Sequence, residues 1–123
     1  MSPVQVQKLF FILDRELSDV TGGPYFKFEP YDYGPFDATV YRELDKLALS
    51  GFVSVVNGTN PRRYELTEAG KRQGLEIAES LPASAKEYIL EIGNLVRRLS
   101  FQELVSAIYK KYPEMKVKSV FRE

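Results

Sequence analysis

Apolar residues recur along this chain at two periods, and each change of period marks a boundary between elements. Val6, Leu9, Phe10, Leu13 and Leu17 fall at helical spacing, with Gln5, Gln7, Lys8 and Asp14 on other faces. Ser2-Pro3 supplies a capping hydroxyl and a first-turn proline, so the spacing predicts a helix to about residue 17, stopped by Thr21-Gly22-Gly23-Pro24. Tyr25 to Tyr33 alternates, with Phe26 and Phe28 set against Lys27 and Glu29. That pattern predicts a short strand or extended arm, confined by Pro30 to an edge. Asp37 is placed to cap a second helix over about 37–50, with Phe36, Val40, Leu44 and Leu47 as its buried stripe and Ser50-Gly51 at its end.

Beyond it the pattern shortens. Phe52 to Val56 reads as a strand, Asn57-Gly58-Thr59-Asn60-Pro61 as a tight turn, and Arg63 to Leu66 as the returning strand. Thr67 caps a helix to about residue 80, followed by Pro82. Ser84 with Glu87, and Ser100 with Glu103, have capping-box spacing. They introduce one amphipathic helix through Ile89, Ile92, Val96 and Leu99, and another through Leu104, Val105, Ile108 and Tyr109, which Pro113 stops. The tail from Met115 fits strand, short helix or disorder. At 123 residues the chain suits one domain over 1–123, with 1–83 as its core and 84–123 as C-terminal helices and tail.

Composition removes most chemistry. With no histidine and no cysteine, the commonest general base, the thiolate nucleophile and the usual zinc ligands are missing. No catalytic residue, cofactor or metal site is expected, and the chain reads as a non-enzyme. No apolar run approaches the roughly 20 residues a membrane span needs, and no secretory pattern opens the chain. No membrane partner and a cytoplasmic location are therefore expected.

Seventeen basic and seventeen acidic residues cancel, whereas nucleic-acid binders usually carry a basic excess. The exposed side of the 37–50 helix mixes Asp37, Thr39, Arg42, Glu43, Asp45 and Lys46. Arg42 and Lys46 suit base reading but the acids oppose phosphate, so a plain solvated face is the leading reading, with base reading and protein contact as alternatives. Arg62 and Arg63, with Lys71 and Arg72 in the next helix, can form a phosphate clamp. Strand alternation would instead turn Arg62 and Arg63 to opposite faces. Among the dense aromatics, Phe26, Phe28 and Phe36 are expected in the core. Tyr25, Tyr31 and Tyr33, with Lys27, are the residues expected to meet a partner.

The order of elements from Phe36 to Gly70, with Thr39 to Leu47, Ser50-Gly51-Phe52-Val53 and Tyr64 to Gly70 as its blocks, resembles winged-helix regulators. The fold expected on that basis is α+β, a winged helix-turn-helix with an N-terminal helix, a small antiparallel β wing and a C-terminal helical extension. Lys8 to Leu13, Tyr33-Gly34-Pro35-Phe36, Ser100 to Leu104 and Lys111-Tyr112-Pro113-Glu114 look like the Panacea (SocA-like) superfamily. That resemblance implies kinship with prokaryotic antitoxins that neutralise partner toxins. The leading expectation is a non-catalytic module that binds a protein partner, antitoxin-like or a regulatory subunit. The alternative is a DNA-binding transcriptional regulator using the 37–50 helix and the 57–63 wing. A homodimer is compatible with either.

Overall fold

The computed structural model describes residues 1–121. The architecture is α+β: five helices and two small antiparallel hairpins in the order α1 (Pro3–Thr21), β1 (Glu29–Tyr31), β2 (Gly34–Phe36), α2 (Thr39–Leu49), β3 (Val53–Val56), β4 (Arg63–Leu66), α3 (Glu68–Ala78), α4 (Ala83–Arg98) and α5 (Phe101–Lys111). A single 3₁₀ turn, Pro113–Lys116, follows.

Helix α1 is the axis of the molecule because both its apolar and its polar faces are used. On one side Phe11 packs with Val96, Val105, Ile108, Tyr112 and Met115. On another Val6 joins Val40, Leu44, Val53 and Tyr64. Residues 84–112 thus pack inward on α1 and close half of the interior. The polar residues expected to face elsewhere are anchors instead. Gln7 donates to the Asp37 carbonyl at 2.8 Å and accepts from the Asp37 N–H at 3.1 Å. Gln5 donates to the Val96 carbonyl at 3.3 Å, and Lys8, 4% exposed, donates to the Pro35 carbonyl at 3.2 Å. Asp14 accepts from the N–H groups of Tyr25 and Phe26 at 2.8 and 3.1 Å. Satisfying their hydrogen bonds is what lets these groups be buried.

Several boundaries differ from expectation, each for a local reason. α1 runs one turn further, to Thr21, and ends where Gly22 turns left-handed (φ +86°) and donates to the Ser18 carbonyl at 2.9 Å. The arm folds into a hairpin rather than one strand, with Pro30 facing Pro35, a pairing that demands no N–H from either. Pro35 is therefore a buried strand residue. Gly34 takes φ +104° beneath Tyr109, where an added Cβ would lie 3.3 Å from the ring. Ala38 occupies the cap position of α2, yet Asp37 still serves its end, accepting from the Thr39 N–H at 2.8 Å. α4 starts directly after Pro82, so Ser84 lies inside its first turn and the Ser84–Glu87 box is absent. The Ser100–Glu103 box is present.

Two core expectations also change. Phe36 is half-buried between the rings of Tyr31 and Tyr41, at 5.2 and 5.9 Å, rather than in either core cluster. Leu47 is 40% exposed. The tail after the 3₁₀ turn returns to the hairpin, where the Val120 N–H donates to the Asp32 carbonyl at 2.9 Å.

Candidate functional site

The arm lies against α1 because the Asp14 carboxylate fixes its first two backbone amides, and because its inward rings have partners. Phe26 lies 6.1 Å from Phe10, and Phe28 meets Phe11 edge-on at 5.4 Å. Asp37 ties the arm to α2: its Oδ2 accepts from the Lys27 N–H at 2.7 Å. Burial by itself would push the Asp37 carboxyl up, but the N–H groups of Lys27 and Thr39 outweigh it and hold the group below its ordinary value.

This clamping leaves a groove. About 500 Å³ opens between α1, the arm and α2, walled by Phe10, Leu13, Phe26, Val40, Leu44 and Leu47. Tyr25 stands at its edge, 64% exposed, with its hydroxyl donating to the Thr21 carbonyl. Glu43 is at the α2 side of the rim. The sequence contained a signal for this groove: the α2 stripe reaches Leu47, further than α1 covers.

The tyrosines expected to act together are distributed. Tyr25 lines the groove, and Lys27 is exposed beside it in a shallower hollow that also includes Glu29. Tyr31, 55% exposed, lies on the hairpin against Phe36. Tyr33, at the hairpin turn, directs its ring edge to Phe101 at 5.1 Å, which draws it toward α5. Tyr25 and Lys27 therefore share a surface, Tyr31 adjoins it through Phe36, and Tyr33 belongs to a different contact.

The basic residues are mostly engaged. Arg62 lies over Tyr41 and Tyr64 at 5.6 and 5.5 Å, and donates through Nε and Nη2 to the Tyr64 hydroxyl at 3.0 and 2.8 Å. Arg63 points to the other face of β4, with Nη2 3.7 Å from Glu65 Oε1. Lys46 pairs with Glu43 at 3.2 Å and Lys71 with Glu68 at 3.4 Å. Arg42 and Arg72 are exposed. Four of the six thus already have a partner within the chain.

Lys8 is a buried charge that periodicity missed. Burial lowers its ammonium from the ordinary lysine range to about 8. Among the described residues no helix is long and apolar enough to cross a membrane. No family model matches the chain, and neither does any curated protein or solved structure.

Proposed function

We propose that this chain is a non-catalytic winged-helix interaction module that binds a protein partner across the arm and the groove beneath it. One observation carries the reading: an apolar groove of about 500 Å³ beside an exposed tyrosine, a combination that buried anchor side chains from a partner fit well. In winged-helix terms α2 is the recognition helix and β3–β4 the wing. The partner's role follows the resemblance, a toxin held by an antitoxin-like subunit or an enzyme held by a regulatory one. The test is affinity capture from the native host with the wild-type chain, Leu47→Glu, Tyr25→Ala and a control at Leu90, which is 65% exposed and does not line the groove. One identified protein should be retained by wild type and Leu90→Glu, and lost with Leu47→Glu. Equal capture by all variants would sink the proposal.

The alternative, DNA binding through Arg42, Lys46, Arg62, Arg63, Lys71 and Arg72, has less support. The Arg62 guanidinium is held by two tyrosines and would have to leave them to reach phosphate. The alternative predicts binding that weakens by roughly one log-log unit of salt slope per phosphate contact.

A further inference from the structure

A separate concavity of about 580 Å³ lies between the wing turn and the α4–α5 corner. Its floor is apolar, from Val4, Leu99, Phe101 and Leu104, while Arg63 and Arg97 stand in its lining, which contains no carboxylate. The positive charge is thus local, in a chain whose seventeen basic and seventeen acidic residues cancel. Glu65 approaches Arg63 only to 3.7 Å, and both side chains are at least half exposed, so the pair holds Arg63 weakly. Arg97 donates from Nε to the Gly93 carbonyl of its own helix at 3.4 Å and is in no ion pair among the described residues.

Both guanidiniums act on the Met1 amino group, which lies in the same lining. The Met1 amino group sits below its ordinary value, first through burial, then through Arg63, with Glu65 opposing, and then through Arg97. The walls are also fixed before any ligand arrives. Met1 and Tyr64 exchange two hydrogen bonds of 2.7 Å, joining α1 to the wing. The Gln5 bond to Val96 joins α1 to α4. A cleft held on both sides loses little order on binding.

We propose that this cleft binds a small organic anion, with a compact apolar or aromatic body on the Val4, Leu99 and Leu104 floor and one carboxylate or phosphate met by Arg63 and Arg97. The guanidinium fork matches both oxyanions, and the volume suits a small molecule rather than a bare ion. An inorganic anion would gain the charges but leave the floor wet. A neutral aromatic would cover the floor but leave two positive charges beside apolar surface. This site shares no residue with the groove, so either assignment can fail without the other.

Phenyl phosphate is the probe, with benzoate as the carboxylate arm and inorganic phosphate and benzyl alcohol as controls. Binding is followed by NMR shifts of the Asn60 and arginine side-chain N–H signals. Phenyl phosphate or benzoate should bind saturably, roughly tenfold tighter than either control, and Arg63→Gln or Arg97→Gln should weaken it by about tenfold each. Arg98→Gln, one residue outside the lining, should bind as wild type. Equal affinity for inorganic and phenyl phosphate, unchanged binding by Arg97→Gln, or no saturable binding of either probe would overturn the assignment.

Discussion

Helices α3 and α5 have the same length, 11 residues, and the same kind of cap, yet they have opposite fates. The Thr67 hydroxyl accepts from the Gly70 N–H, and the Ser100 hydroxyl from the Glu103 N–H, each at 3.1 Å. α5 then buries Leu104, Val105, Ile108 and Tyr109, whereas α3 buries only Gly70 and leaves Leu75 and Ile77 71% and 57% exposed. The difference is spacing. Leu104, Val105, Ile108 and Tyr109 form one stripe, while Leu75 and Ile77, two apart, point to different sides of their helix. A good cap starts a helix; only a stripe docks it.

α3 is held at its first turn instead. Thr67 donates its hydroxyl proton to the Gly51 carbonyl at 2.6 Å and its N–H to the Phe52 carbonyl at 3.2 Å. A Cβ on Gly70 would lie 2.0 Å from that Phe52 oxygen, so the helix approaches the backbone as only glycine allows.

The largest break in this comparison should come from truncating equivalent leucines. Leu104→Ala should cost about 2–5 kcal/mol in urea unfolding, whereas Leu75→Ala should stay within about 0.5 kcal/mol. Comparable losses at the two positions would mean that α3 is docked after all.

On the α5 side, Lys8, Ile108 and Tyr109 converge on Gly34. The folded Lys8 value, about 8, lies below that of the unfolded chain, so the unfolded state binds more protons between there and the ordinary lysine value. Stability should accordingly rise with pH through that window, by on the order of 3 kcal/mol at most. Lys8→Met should flatten the rise in a pH series of thermal melts, and an unchanged slope would exclude Lys8 as its source.

Within α3 itself the two glycines should respond with opposite sign. Gly70→Ala must push the helix off the Phe52 carbonyl and should cost about 1–3 kcal/mol. Gly74 has nothing within 4 Å of an added Cβ, so Gly74→Ala should stabilise by about 0.5–1 kcal/mol. Hydrogen exchange along residues 71–78 reads both effects directly.

What periodicity made legible were the elements with a stripe or a turn signal: α1, α2, the β3–β4 hairpin, α4 and α5. It also anticipated that Arg62 and Arg63 would part to opposite faces. It missed the second use of α1, because Gln5, Gln7, Lys8 and Asp14 look like a solvated face until the hairpin and α4 arrive with carbonyls and amides to meet them. The β1–β2 hairpin was hidden for a related reason: three-residue strands carry too few positions to alternate visibly. Of the tyrosines, Tyr25 could be placed at a surface from sequence, but the departure of Tyr33 toward Phe101 depends on a residue 68 positions away.

The facing of Pro30 and Pro35 has a further consequence. Glu29–Phe36 and Tyr31–Gly34 carry the ladder, so the backbone groups of the central pair point outward along the hairpin's two edges, and neither proline has a proton to offer there. One of the outward carbonyls, that of Pro35, is already taken by Lys8. The arm is therefore sealed against extension by a third strand. It resists edge-to-edge polymerisation, and a partner docking there would have to recognise side chains rather than add to a sheet.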